Sequence, residues 1–208
     1  MLKIGVLVSG GGTNLQAVID AIQSGYIQNA EIVTVISSKN NAYALERARK
    51  HGIHGEYISR KAFESQTQYD EALVKSMKER GVGLVLLCGF LSILGETFIK
   101  EFEKRIINIH PALIPSFCGK GYYGLKVHEE AIKYGAKITG ATVHFVELEP
   151  DAGPIILQKA VEVKDDDTPE TLQKRVMEEA EWVLMPLAVK LYAENKLEIV
   201  DRRVLQKG

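Results

Sequence analysis

The chain has 208 residues, of which 46% are hydrophobic and 25% charged, and its 26 Lys and Arg against 27 Asp and Glu leave a net charge of −1. A chain of this length and composition buries its own core without staples, and it carries no overall field to draw in nucleic acid or an anionic membrane, so small-molecule partners are expected. Cys88 and Cys118 show no CxxC spacing, and no apolar run reaches the length of a membrane-spanning helix, which removes a disulfide framework, a cysteine zinc site and a membrane protein from consideration.

The opening MLKIGVLVSGGG reads as a buried strand, Leu2–Val8, running into glycines, and not as a secretory leader. With two reduced cysteines this makes a cytoplasmic location the expectation. A helix follows over Asn14–Ser24, with Leu15, Val18, Ile19 and Ile22 at helical spacing and Gly25 as its stop. Ile32–Ser37 is a β-branched strand, Ala42–Lys50 a helix and Gly55–Ile58 a short strand. The spacing of Tyr69, Leu73 and Met77 predicts a helix over Gln68–Arg80, and Leu84–Cys88 is again a continuous apolar strand. Alternating strands and helices of this kind make βαβ units with a parallel sheet, and fully apolar strands suit a sheet covered on both faces.

After the strand Ile106–His110 the pattern changes. A loop with Pro111, Pro115, Gly119 and Gly121 leads to a helix over Lys126–Tyr134. Ile138–Val146 and Pro154–Val163 read as antiparallel neighbours, followed by one helix over Pro169–Asn195 that Pro186 should kink and a last strand at Leu197–Val200. No repeat, low-complexity stretch or linker divides the chain. The expectation is a single α/β domain over 1–208, its parallel N-terminal half extended by a mixed, antiparallel C-terminal half.

Three constellations carry chemistry. Ser9-Gly10-Gly11-Gly12-Thr13-Asn14 joins a strand to a helix. Such a loop either offers backbone N–H groups and a helix dipole to a phosphate or carboxylate, or is a tight turn with Thr13 or Asn14 as N-cap. It is not a dinucleotide fingerprint, because Leu15 stands at the third glycine position. Asn108 and His110 alternate with Ile107 and Ile109, so they share one face at the C-terminal edge of a strand, where α/β sheets bind ligands. There an amide can stabilise an oxyanion and an imidazole can exchange a proton, although a lone His is commonly structural. Asp151, in Asp-Ala-Gly-Pro, is either a turn residue or a carboxylate that orients the imidazole. His51, His54, His128 and His144 show no metal-ligand spacing, so no metal is expected, and His144 is read as supporting.

Together, VLVSGGGTNLQAVIDA (Val6–Ala21), INIHPALIPSF (Ile107–Phe117) and GATVHFVELEPDAGPIILQ (Gly140–Gln158) resemble the formyltransferases that use 10-formyltetrahydrofolate, along nearly the whole chain. The N-terminal glycine loop narrows the resemblance to the branch that formylates glycinamide ribonucleotide in purine synthesis. It implies a Rossmann-like formyltransferase fold, 10-formyltetrahydrofolate as co-substrate, no metal, and a monomer or weak homodimer. It implies that Asn108, His110 and Asp151 are catalytic and that Gly12, Thr13 and Asn14 hold the substrate phosphate. Leu91, Ser92, Ile93 and Leu94, with Glu147, Asp151 and Asn108, would line the folate pocket. Glu181 would meet the ribose hydroxyls, but the helix is one residue longer than the family pattern, which leaves Glu179 as the alternative. Gln66 stands where some relatives have an arginine near the folate, Ser92 where a basic residue is frequent, and the loop Cys118–Leu125 is longer than in many relatives; these departures bear on affinity and loop geometry. The competing readings are a formyltetrahydrofolate hydrolase and a nucleotide-binding module without chemistry. A tRNA formyltransferase is disfavoured by the short chain beyond the last helix.

Overall fold

A computed structural model describes Met1–Lys207 and gathers the chain into two compact units, Met1–Asn108 and the residues from Ile109 onward. The first unit is built on β1 (Leu2–Val8), β2 (Ala30–Ser37), β3 (His54–Tyr57), β4 (Leu84–Cys88) and the first part of β5 (Ile106–His110), in the spatial order β3-β2-β1-β4-β5. Every pairing among them is parallel. The helices α1 (Thr13–Gln23), α2 (Tyr43–Lys50), α3 (Gln66–Glu79) and α4 (Glu96–Glu101) supply the crossovers. β1 and β4 are buried almost throughout, as their unbroken apolar sequence requires. The strand order reverses at β1, so the carboxyl ends of β1 and β4 open a crevice at the switch point. Ser9 and Gly89 lie there, joined by a bond from Ser9 N–H to the Gly89 carbonyl at 3.0 Å.

In the second unit α5 (Leu125–Tyr134) precedes an antiparallel pair, β6 (Ile138–Phe145) and β7 (Ile155–Glu162). β7 runs parallel to β9 (Arg203–Gln206), which turns back on β8 (Leu197–Val200). The sheet register slips between Val143 and His144, leaving Ile156 as the extra residue opposite the end of β6. Such a bulge tightens the local twist where His144 sits. α6 (Pro169–Val176) starts with Pro169 at its first turn and a reciprocal Thr168–Thr171 capping box. Arg175 holds Asp167 through two 2.6 Å bonds, and that ion pair keeps the Asp167 carboxyl far below the usual carboxylate range.

The α/β class, the parallel first half and the antiparallel β6–β7 pair agree with the sequence reading. The helix expected over Pro169–Asn195 does not form as one element. It is interrupted by a π turn at Met177–Glu181, and α7 (Trp182–Ala193) then carries Pro186 inside it. Proline removes the bond to the Trp182 carbonyl and crowds it. The ladder widens in the turn just before Trp182, so the break lies upstream of the proline and not at it. Three short elements also escape the sequence patterns: the single 3₁₀ turn Arg60–Ala62, α4 and β9. The β8–β9 turn uses Asp201 at a φ of 55° with no glycine beside it, so it lacks the usual hairpin signature.

Gly153 closes the hairpin that carries Asp151. A Cβ there would lie 1.9 Å from the Phe145 carbonyl oxygen, a backbone atom that cannot swing aside. Gly153→Ala is expected to cost about 2 kcal/mol or more of stability by overpacking, read as a lower urea midpoint with an unchanged slope. A midpoint equal to wild type refutes the close approach.

Candidate active site

In the first unit the glycine loop is braced from behind by α2. Arg47 Nε donates to the Gly11 carbonyl at 2.8 Å, Arg47 Nη1 to Gln16 Oε1 at 2.9 Å, and Ala44 N–H to the Gly10 carbonyl at 3.2 Å. Gly12 sits at the cap position of α1 with φ 70°, and a Cβ there would come within 2.7 Å of the Ala44 Cβ. Neither Thr13 nor Asn14 is therefore the N-cap, because both already lie inside the helix. A glycine has no side chain to close the first turn, so the positive end of α1 faces the loop. Gly10 and Gly11 border open space.

The same loop reaches the expected folate segment. Ser9 Oγ accepts from Leu91 N–H at 2.8 Å and pairs with Ser38 Oγ at 2.6 Å. Leu91 and Ile93 are 52% and 75% exposed, whereas Leu94 is buried. Two exposed apolar side chains on a tied turn form an open apolar ledge. Gln66, which the sequence marks as a departure, is bonded to the Ile93 carbonyl and to Asp70.

The second unit brings His110, His144 and Asp151 together. Asp151 Oδ2 lies 3.5 Å from His110 Nδ1 and Oδ1 lies 3.6 Å from His144 Nε2. The carboxylate also accepts the Gly119 N–H at 2.8 Å, so the long loop after β5 closes on it. On their far sides, His110 Nε2 meets the Phe117 carbonyl at 2.8 Å and His144 Nδ1 the Phe145 carbonyl at 2.7 Å. A carbonyl only accepts, so those nitrogens carry the hydrogens. In a neutral ring the nitrogen facing Asp151 then carries a lone pair. One further proton turns either contact into a charge-assisted one.

Burial pushes the His110 pKa below its ordinary value, against the upward pull of Asp151 and the Phe117 carbonyl. Asp151 therefore acts in the expected direction without winning. Burial pushes Asp151 up in turn, but His144, His110 and the Gly119 N–H outweigh it and leave its carboxyl below the usual range. Thr142 anchors the loop after β5: its Oγ1 donates to the Ala112 carbonyl at 2.7 Å and accepts from Ile114 N–H at 3.1 Å.

Asn108 lies two residues before His110 on β5, half-buried. Glu147 is exposed on the turn before Asp151. Glu181 is buried at the end of the π turn while Glu179 faces outward. Among the described residues no group of three His, Cys, Asp or Glu is placed to hold a metal ion, and no helix is long and apolar enough to cross a membrane.

The sequence reading gave no role of their own to Ser9, the Phe117 carbonyl, Gly119 and His128. Only His128 left a signal: it falls between Val127 and Ala131 on the buried stripe of α5.

The chain belongs to the formyl transferase family, whose model matches residues 2–189. It is 40% identical to the phosphoribosylglycinamide formyltransferase of Haemophilus influenzae, with 100% of this chain and 95% of the relative covered. It is 42% identical over 95% of its length to the trifunctional purine biosynthetic protein adenosine-3 of Gallus gallus, and spans 19% of that longer protein. Its fold matches the crystal structure of glycinamide ribonucleotide transformylase 1 from Symbiobacterium toebii with a TM-score of 0.94 at 42% identity, covering 100% of this chain and 95% of the other.

His128 is fully buried, neither ring nitrogen has a hydrogen-bond partner, and burial with the nearby His110 charge lowers its pKa to about 4. An unfolded histidine near 6.5 binds the proton first, so folding stability falls as the pH drops from about 6.5 to about 4 and levels off below. This group alone contributes about 3 kcal/mol to that loss. Denaturant unfolding at pH 7 and pH 4 should show a correspondingly smaller drop in His128→Leu; equal drops in both proteins exclude a neutral buried imidazole.

Proposed function

We propose that the chain transfers the formyl group of 10-formyltetrahydrofolate to the glycine amine of 5-phosphoribosylglycinamide, a step of purine biosynthesis. The observation that carries the reading is the Asp151 carboxylate between His110 and His144 in a chain of this family. The Gly12–Asn14 turn takes the phosphate on backbone N–H groups at the positive end of α1. Glu181 accepts the ribose hydroxyls, and the Leu91–Leu94 ledge with the Glu147–Asp151 turn takes the folate ring.

The roles follow from charge. The substrate amine is the nucleophile, so the protein supplies none. Its nitrogen bonds to the formyl carbon, and an oxyanion forms. Asn108 donates an amide N–H to that oxygen, and the protonated His110 ring adds positive charge. As the bond to N10 of the folate breaks, the proton lost by the amine passes to that nitrogen, with His110 and Asp151 as carriers. The low pKa of His110 suits this, because a weakly held proton is readily given up. His144 steadies Asp151 and is a supporting residue. We place the protein in the cytoplasm, as a monomer or weak homodimer in which residues 1–208 act as one formyltransferase domain.

Folate absorbance followed with and without the ribonucleotide amine tests the reaction. Asn108→Ala and His110→Ala should each lower kcat/KM by about 100-fold or more, and Asp151→Asn should act chiefly on kcat. Rates near wild type in the first two variants defeat the catalytic assignment. Undiminished turnover without the amine selects the hydrolase reading instead.

A further inference from the structure

The turn that ends in α4 is held from behind by a network outside the catalytic groups. Gln66 Nε2 donates to the Ile93 carbonyl at 3.0 Å and to Asp70 Oδ1 at 2.7 Å, which uses both of its hydrogens. Its Oε1 accepts from Arg60 Nε at 3.1 Å, and Arg60 Nη1 is in turn tied to the Phe63 carbonyl at 2.8 Å. A guanidinium only donates, so this bond fixes which way the Gln66 amide faces. Asp70, 1% exposed, receives Gly95 N–H at 3.1 Å and Phe98 N–H at 3.4 Å, doing for α4 what no side chain at its own cap position does. The approach is tight: a Cβ on Gly95 would lie 2.3 Å from Asp70 Oδ2. With Ser9 gripping Leu91 N–H in front, the stretch from Leu91 to Gly95 is pinned at both ends, and its exposed apolar side chains at Leu91 and Ile93 are held outward.

We propose that Gln66 is a positioning residue for the folate co-substrate, acting with Asp70 to preset the Leu91–Leu94 ledge before the ligand arrives. The inference rests on the reading that this ledge meets the folate. Gln66 itself is no ligand, since its amide hydrogens are spent inside the protein. A preset ledge spares the ordering cost of binding, so its loss should appear in affinity for one substrate alone.

Gln66→Leu keeps the volume and removes the donors. It should raise the KM for 10-formyltetrahydrofolate about tenfold while kcat and the ribonucleotide KM stay within about twofold, because three hydrogen bonds are lost behind one subsite. Gln66→Glu sets a carboxylate against Asp70 and the Ile93 carbonyl and should raise it further. Combining Gln66→Leu with Asp70→Asn should give less than the product of the single effects. Without any substrate, the Gly95 amide should exchange with solvent about tenfold faster in Gln66→Leu. An unchanged folate KM, a parallel change in kcat and both KM values, or unchanged exchange each overturns the inference. A wild type that transfers no formyl group overturns the proposed function and the folate assignment with it, whereas normal transfer with an unchanged folate KM in Gln66→Leu overturns this inference alone.

Discussion

The constraint on which the second unit depends is one carboxylate held among two imidazoles and a backbone N–H. Asp151 has a φ of 56°, at the tip of the β6–β7 hairpin, where the left-handed conformation is available to Asp at modest cost. From there its oxygens reach His110 on one side and His144 on the other, while Gly119 N–H fixes the carboxylate from the loop after β5. Buried ionisable groups are costly unless paired. The cluster meets that cost by committing each imidazole's outer nitrogen to a main-chain carbonyl. What remains is a carboxylate facing two ring nitrogens that carry lone pairs in the neutral rings.

Burial and charge oppose each other at His110. Burial, and to a lesser degree the neighbouring His144, disfavours the His110 imidazolium, while Asp151 and the Phe117 carbonyl favour it. Had Asp151 won outright, the ring would hold its proton more firmly than a free imidazole. Had burial acted alone, the ring would bind a proton more weakly still. The opposition leaves His110 below its ordinary pKa, with a proton that is weakly held.

Much of this was legible in the sequence, and the limits are physical. The apolar runs Leu2–Val8 and Leu84–Cys88 read as buried parallel strands because a sheet covered on both faces leaves no polar alternation. Asn108 and His110 stood out because polar residues on such a strand need a reason. The capping of α4 by Asp70 was invisible, since the donor and acceptor lie 25 and 28 positions apart and no local pattern links them. For the same reason Phe117 and Gly119 could not be found: they act through main-chain atoms, which every residue has. The π turn at Met177–Glu181 has no sequence pattern of its own, and the placement of Glu181 inward and Glu179 outward needed the backbone.

The first unit shows how one residue type can serve two purposes in a single loop. Three consecutive glycines look like a uniform ligand cradle, yet only Gly12 is demanded by the fold, through its positive φ and its contact with Ala44. Gly10 and Gly11 have no neighbour that a side chain would strike. The packing of α2 therefore accounts for one glycine and leaves two whose smallness the protein does not need for itself. The backbone at Gly10 and Gly11 is therefore open to close approach from outside the protein. Ser9, one residue earlier, joins this loop to the Leu91 ledge through a single hydroxyl. The two surfaces read as substrate subsites are thus set at adjacent residues of one strand-to-helix turn and joined by the hydrogen bond from Leu91 N–H to Ser9 Oγ.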